Sequence, residues 1–261
     1  MDFPDPRPAR MTVWEHLHEL RTRLIHCAIA VVVVFALLYA FRFRIWTWAQ
    51  QPFLQALARQ TGKPLADLQP WAFNDLVEPF ISLMRLTFWG AALVAAPYVF
   101  YQIWAFIRPA LRVRERRMVV PFVLITSTMF LAGAAFAYCT AFRFLGDILF
   151  QEASHAGLRA NLHIAAYLDL FLYTLLSTGI MFELPVLTYF LAKFRLVTAR
   201  WLLKYWRHST IVIMLVSAFL TPGDVVATMI FFTVILEALY FVSVVVAWAV
   251  QPKPTAGNGQ A

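Results

Sequence analysis

The amino-acid sequence predicts an all-α integral membrane protein with six transmembrane helices and both termini in the cytoplasm. Hydrophobic residues make up 61% of the chain and charged residues only 14%, and the apolar residues are gathered in long blocks. A block of about 18 or more apolar residues can cross a bilayer as a helix. Lysines and arginines are concentrated in alternate connections between the blocks, which indicates the orientation. Residues 1–250 are therefore predicted to form a single membrane domain.

Four of the helices are predicted from apolar blocks at residues 24–41, 86–107, 118–142 and 170–192. The fifth, residues 208–223, is uncharged but has only 16 residues, which reach about 24 Å against about 30 Å for the hydrocarbon core. Either the bilayer thins there, or the following turn lies in a water-filled recess, or the boundary is misplaced by a few residues. The sixth, residues 225–250, follows the turn "LTPGD" and contains Glu237.

The basic residues define the predicted topology. Fifteen of the 22 lysines and arginines flank the helices on the side of the termini and six lie on the other side, with Arg85 unassigned. Positive residues accumulate on the cytoplasmic side of membrane proteins, and Arg42 and Arg44 are local exceptions. The net charge of +8 then reflects topology and attraction to membrane lipid, and no nucleic-acid partner is predicted.

Two segments on the opposite side, residues 42–80 and 143–169, are predicted to form extracytoplasmic caps. In the first, the aromatic and aliphatic residues of 45–59 predict an interfacial amphipathic helix that is broken at Pro52. The second cap is predicted to be a polar connector. The polar tail, residues 251–261, is predicted to be disordered.

The N-terminal stretch "MTVWEHLHELRTRL" has helical amphipathicity, so residues 1–23 are predicted to include a cytoplasmic amphipathic helix that lies on the membrane surface and runs into the first span. Its apolar face carries Trp14, Leu17, Leu20 and Leu24, and its polar face carries Glu15, His18, Glu19, Thr22 and His26. Glu15 fits a capping box with Thr12. Glu19 either forms an i,i+4 pair with Arg23 or has a functional role.

Glu183 is the single charged residue in the block 170–192, and Pro185 follows it two positions later. An ionised carboxylate in a bilayer core is costly and a proline removes a helix hydrogen bond, so this point is a functional candidate. The alternative is a neutral carboxylic acid that is hydrogen-bonded within the bundle, for example to Ser209 or Ser217.

No catalytic, metal or cofactor site is predicted. The histidines lie outside the spans or at their ends, Cys27 and Cys139 have no partner nearby in sequence, and no nucleotide-binding or nucleophile motif occurs. A proton- or solute-coupled transporter remains an alternative function, with Glu183, Glu237 and Asp224 as its proton relay. No internal repeat supports this alternative.

Four motifs occur in the order "HLHELRTRL", "APYVFYQIWAFIRPAL", "FELP" and "LTPGD". Together they resemble TatC, the multi-spanning receptor subunit of the twin-arginine protein translocase, over roughly residues 14–240. The resemblance implies a receptor and not an enzyme, in the cytoplasmic (inner) membrane of the cell. It implies that folded proteins with twin-arginine signal peptides are exported by the proton-motive force, together with TatA- and TatB-type single-span subunits and further copies of the receptor.

The resemblance also implies roles for individual residues. Glu19 and Glu115 match the carboxylates that receive the arginine pair, which is coherent because each guanidinium forms bidentate hydrogen bonds with one carboxylate. Further residues of the signal-peptide site would be Leu20, Arg21 and Phe100, and the intramembrane or partner contacts would be Glu183, Asp224, Pro52 and Glu237. Phe231 stands where many family members have a proline, which separates this chain from the pattern around Glu237.

The topology generates the first prediction. In a background without Cys27 and Cys139, Arg116→Cys and His155→Cys should react with a membrane-impermeant thiol reagent from opposite sides of the membrane. The measurement is labelling of intact cells against labelling of inverted vesicles. Labelling of both positions from the same side would contradict the six-helix topology.

Overall fold

The computed structural model describes residues 13–68, 70–108, 119–155, 162–220 and 226–251. Within these ranges the chain is helical apart from short connections and two paired strands. The helices are α1 (Val13–Tyr39), α2 (Arg42–Thr61), α3 (Glu78–Ile107), α4 (Val119–Phe136), α5 (Phe142–His155), α6 (Ile164–Met181), α7 (Leu184–Lys193), α8 (Ala199–Lys204), α9 (Trp206–Leu220) and α10 (Val226–Val250). Strands β1 (Trp71–Ala72) and β2 (Leu162–His163) pair in parallel and join the two cap segments.

Five helical segments of the described chain are long and apolar enough to cross a membrane. They are Trp14–Tyr39, Glu78–Ile107, Val120–His155, Ile164–Lys193 and Val226–Val250. The sixth apolar helix, α9, has 15 residues and is about 22 Å long, so it is as short as the sequence predicts. The all-α membrane class is confirmed, and six membrane crossings stay a prediction.

The bundle is built around α3 and α6. Helix α1 lies along α3, α4 packs against both α3 and α6, and α10 packs against α7 and α9. No residue in the most apolar window of α1 is buried, so this helix lies at the edge of the bundle. The N-terminal amphipathic segment is continuous with the first span in α1, and no break turns it aside along the membrane surface.

Helices α4 and α6 approach closely because each presents a glycine to the other. A Cβ atom added to Gly133 would lie 2.7 Å from the carbonyl oxygen of Thr178, and one added to Gly179 would lie 2.9 Å from the Phe130 ring. Small residues permit such approach in membranes, where helices associate by packing and hydrogen bonding. This contact lies just before α6 ends at Met181, and α7 begins at Leu184.

The break between α6 and α7 divides the fourth predicted span. Pro185 stands in the first turn of α7, where its missing N–H leaves no helical hydrogen bond unmade. The backbone N–H of Glu183 donates to the carbonyl of Ile180, and its carbonyl accepts from Leu187. Pro185 therefore begins a new helix and does not interrupt a continuous one.

The first cap corrects the prediction that its helix breaks at Pro52. Helix α2 is continuous from Arg42 to Thr61 with Pro52 inside it, fully buried. A proline cannot donate to the carbonyl four residues earlier, which here belongs to Trp48. The Tyr138 hydroxyl donates to this carbonyl at 3.0 Å, and the Tyr167 hydroxyl donates to the next one, Ala49, at 2.6 Å. Two tyrosines from other helices thus stabilise α2 at its proline.

The second cap corrects the prediction of a polar connector, because its first part is helix α5. A π-turn at Ala137–Ala141 joins α4 to α5 without a break. Phe142, Leu145 and Phe150 are buried, and α5 packs against α2. The charged residues Arg143, Asp147 and Glu152 alternate with the apolar ones along the sequence, so the sequence interpretation missed this amphipathic pattern. The π-turn also carries Tyr138, the donor to Trp48.

The hydrogen bond at the proline generates the second prediction. We expect Tyr138→Phe to lower the stability of the purified protein by about 1 kcal/mol, because the Trp48 carbonyl loses its donor. In a Pro52→Ala background the restored backbone N–H supplies that carbonyl, so the same substitution should cost less. The measurement is chemical unfolding in detergent micelles, with Tyr101→Phe as the control. Equal losses in both backgrounds would contradict the coupling.

Candidate functional site

A polar cavity of about 530 Å³ lies between the first turns of α1 and the end of α3. Four of the five residues on the predicted polar face of the N-terminal helix contribute to it, together with an arginine and two residues of α3. The lining residues are His18, Glu19, Thr22, Arg23, His26, Tyr101 and Gln102. The remaining polar-face residue, Glu15, lines an adjoining shallow cavity with Trp14 and Glu19. The predicted polar face therefore forms one wall of a site.

Glu19 is held in this cavity by a chain of hydrogen bonds between two helices. The Arg23 Nε donates to Glu19 Oε1 at 2.9 Å, and Nη2 of the same guanidinium also donates to Oε1. Arg23 Nη1 donates to Gln102 Oε1 at 3.2 Å, and Gln102 Nε2 donates to the Tyr98 hydroxyl at 2.7 Å. The carboxylate is thus fixed relative to α3, which is how a binding group is preorganised.

The second carboxylate oxygen of Glu19 is unpaired among the described residues. Oε2 is shielded from solvent and accepts no hydrogen bond from the described residues. A buried carboxylate oxygen without a donor is costly, so a guanidinium or ammonium group entering the cavity would be stabilised there. The i,i+4 pair with Arg23 that the sequence suggested is present, and it occupies only one of the two oxygens.

Sequence reasoning missed all the residues that α3 contributes to this site, which are Tyr101 in the cavity lining and three further residues. Gln102 and Tyr98 hold Arg23, and Phe106 stacks on His16 with ring centroids 4.3 Å apart, which fastens the start of α1 to the end of α3. The three are spaced four residues apart and so lie on one face of α3. This spacing, together with a glutamine inside an apolar block, could have indicated from the sequence that this face of α3 makes a polar contact.

Three other predicted site residues do not line the cavity. Leu20 and Arg21 are exposed on α1 outside it. Phe100 points toward α4, where it packs against Phe130 with centroids 5.5 Å apart, beside the buried cluster that contains Trp104. Around α3, Phe100 lies about 100° from Tyr101 and about 200° from Gln102, so it points away from the cavity that these two residues line. Glu115 and Asp224 lie outside the described residues.

The intramembrane carboxylates lie elsewhere. Glu183 occupies the break before α7, and its Oε1 is buried with no hydrogen-bond partner among the described residues. Glu237 of α10 accepts a hydrogen bond from the Thr210 hydroxyl of α9 at 3.0 Å, which joins the hairpin helices. Phe231 stacks on Phe144 of α5 with centroids 4.3 Å apart, so it connects α10 to the second cap.

A second cavity, of about 580 Å³ and mostly apolar, lies among α3, α6, α9 and α10. Met181 and Leu184 beside the α6–α7 break contribute to its lining. The ion pair between Arg85 and Asp169 also contributes, and it gives a partner to the arginine that the charge pattern left unassigned. Among the described residues no group of three or more histidine, cysteine, aspartate or glutamate side chains could hold a metal ion.

The family model for "Sec-independent protein translocase protein (TatC)" matches residues 15–234. The chain belongs to the TatC family. It is 34% identical over 244 residues to the Sec-independent protein translocase protein TatC of Koribacter versatilis strain Ellin345, covering 93% of this chain and 87% of the relative. The TatC of Escherichia coli strain K12 is 34% identical over 210 residues, covering 80% of this chain and 78% of the relative.

The fold of this TatC protein is similar to a crystal structure of the twin-arginine translocase receptor TatC, with a TM-score of 0.75 and 25% identity. That alignment covers 90% of this chain and 99% of the solved chain. A second crystal structure of the receptor, in DDM, aligns with a TM-score of 0.75. The resemblance seen in the sequence is confirmed, and so are protein translocation as the function and the absence of an enzymatic role.

Proposed function

We propose that this TatC protein recognises twin-arginine signal peptides at the cavity that contains Glu19 and thereby starts export of folded proteins driven by the proton-motive force. The observation that carries the proposal is the fixed carboxylate with one oxygen bound to a guanidinium and the other unpaired. Arg23 demonstrates that the site accepts a guanidinium. An arginine of the peptide would bind at Oε2, alone or after displacing Arg23.

A second arginine requires a second carboxylate, and Glu115 is the candidate. Residues 109–118 connect the cavity end of α3 to α4, so Glu115 belongs to the segment that leaves the site. Five arginines surround Glu115 in the sequence "IRPALRVRERR". The peptide's arginines would be repelled by most of this basic face, which restricts their binding to the carboxylates.

The proposed orientation puts the cavity at the cytoplasmic surface of the cytoplasmic (inner) membrane, with residues 251–261 on the same side. Residues 42–80 and 143–169 then form the extracytoplasmic caps. The support is the excess of basic residues on the side of the termini and the position of the cavity at the N-terminal end of α1. Signal peptides emerge in the cytoplasm, so the carboxylates would meet them there.

The proposed partners within the membrane are TatA- and TatB-type single-span subunits and further copies of this chain. Glu183 supports this proposal, because its unpaired oxygen at a helix break is a hydrogen-bonding group beside an apolar cavity. Glu237 already accepts from Thr210. Pro52 is packed inside the cap, so its influence on a partner would act through the position of α2. Family membership supports the translocase and not the alternative transporter.

Peptide binding generates the third prediction. We expect Glu19→Ala and Glu115→Ala each to weaken binding of a twin-arginine peptide about tenfold or more, since each removes a charge-assisted hydrogen bond to an arginine of the peptide. The double variant should lose less than the sum in free energy, because both residues hold one ligand. The measurement is fluorescence anisotropy of a labelled peptide on the purified protein, with Glu152→Ala, an exposed cap carboxylate, as the matched control.

Arg23→Gln separates binding by Glu19 from mere positioning of Arg23. If Glu19 binds the peptide, this variant frees a second oxygen, so it should retain binding or strengthen it. If Glu19 acts only by holding Arg23, the variant should lose binding as Glu19→Ala does, which would contradict the proposed contact. A peptide with two lysines should bind weakly to every variant.

The break in the fourth span generates the fourth prediction. We expect Glu183→Gln, which keeps hydrogen-bonding capacity, to retain most export, and Glu183→Ala to slow export while peptide binding stays at the parent level. Transport into inverted membrane vesicles and peptide binding are measured in parallel. Equal loss of transport in both variants would contradict a hydrogen-bonding role and indicate a carboxylate that must titrate.

A further inference from the structure

An apolar groove of about 800 Å³ is lined by residues of α1, α2, α3 and α4, at the opposite end of α1 from Glu19. Its walls include Leu38, Phe41, Leu93 and Leu131, and Arg44 is the one charged residue that lines it. Leu38 lies about 18 Å along α1 from His26, so the groove is separate from the peptide cavity. Phe41 and Leu131 are exposed, as expected where the groove opens to the bilayer.

The side chain of Arg44 has no hydrogen bond or ion pair with any described residue, although its backbone N–H donates to the Phe41 carbonyl. The neighbouring Arg42 is satisfied, because its guanidinium lies 4.5 Å from the Tyr39 ring centroid and 4.4 Å from the Phe43 centroid and donates to the Tyr39 carbonyl. Arg59 and Arg85 each pair with an aspartate. Arg44 is also an exception to the charge rule, so a cation stands without a protein partner on the side where cations are scarce.

The depth of Arg44 is indicated by two aromatic residues in the same groove. Trp48 and Tyr138 are stacked with ring centroids 4.0 Å apart, and both line the groove. Tryptophan and tyrosine concentrate where the hydrocarbon meets the headgroups. Helix α1 ends at Tyr39 and α2 begins at Arg42, so the chain turns at this same level. Arg44 therefore lies at headgroup depth while the leucine walls extend into the hydrocarbon.

We propose that this groove binds an anionic glycerophospholipid, with one acyl chain along the leucine walls and the phosphodiester on the Arg44 guanidinium. A phospholipid is the molecule in a bilayer that joins an apolar chain to a phosphate at this depth. A guanidinium forms two parallel hydrogen bonds to a phosphate, and the groove volume is that of a small-ligand site. The lipid fills the seam between the α1–α2 junction and α4, where the chain's own side chains leave space.

Two variants test the phosphate and the acyl chain separately. Arg44→Gln removes the guanidinium and should weaken binding of dioleoyl phosphatidylglycerol about tenfold or more, the loss expected for a charge-assisted hydrogen bond. Gly90→Leu should block the chain, because Gly90 lines the groove and a Cβ atom there meets nothing within 4 Å. The control is Lys63→Gln, an exposed cation of the same cap that does not line the groove.

Lipid binding is measured by native mass spectrometry of the purified full chain, titrated with phosphatidylglycerol or with dioleoylglycerol, which has the same chains and no phosphate. The parent and Lys63→Gln should bind phosphatidylglycerol more tightly than dioleoylglycerol, and Arg44→Gln should lose this preference. Twin-arginine peptide binding should be unchanged in all variants, so failure here is distinguishable from failure of the peptide site. Equal binding of the two lipids by the parent, parent-like binding by Arg44→Gln, or crosslinking of a photoreactive residue at Leu131 to a protein in native membranes would overturn the proposal.

Discussion

The structure depends on one constraint, which is that backbone carbonyls left without a helical donor in or near the bilayer need a donor from the chain itself. Four tyrosines donate to backbone carbonyls of other helices, and the Trp48 carbonyl, four residues before Pro52, is the one that has lost its helical donor. Tyr138 and Tyr167 donate to the carbonyls of α2 beside its proline. Tyr173 donates to Phe219 at the end of α9, and Tyr240 donates to Leu202 near the end of α8. These hydrogen bonds tie the first cap and the α9–α10 hairpin to helices from other parts of the chain.

Three carboxylates differ from these carbonyls, because each keeps an oxygen that has no donor within the described residues. Glu19 and Glu237 each have one oxygen that is hydrogen-bonded within the chain and one that is not, and Glu183 also has an unpaired oxygen. The paired oxygens hold helices together, from Glu19 through Arg23 to α3 and from Glu237 to α9. The unpaired oxygens are where a ligand or a partner gains most, because it relieves a buried group that has no donor.

Much of the fold follows from local pattern. The sequence predicted the five long spans, the short α9 and the polar face of the N-terminal helix. These features depend on the length of apolar blocks and on helical periodicity, which are local properties of the sequence. The same rules failed at Pro52, where Tyr138 replaces the missing donor from 86 positions away, and at α5, whose apolar face is recognisable only against α2. Local sequence rules fail where a distant residue supplies the missing hydrogen-bond donor or the packing surface.

By itself the sequence determined the membrane class, the family and the identity of Glu19 as a candidate, because these depend on composition and on short motifs. Only the tertiary structure decided which face of α3 meets Glu19, so that Tyr98, Gln102 and Phe106 belong to the site and Phe100 does not. It also decided that Arg23 occupies one carboxylate oxygen, and that the Arg42 guanidinium packs on aromatic rings while Arg44 lines an apolar groove. The physical reason is that the rotation of one helix against another is set by the packing of whole surfaces, which no single stretch of sequence contains.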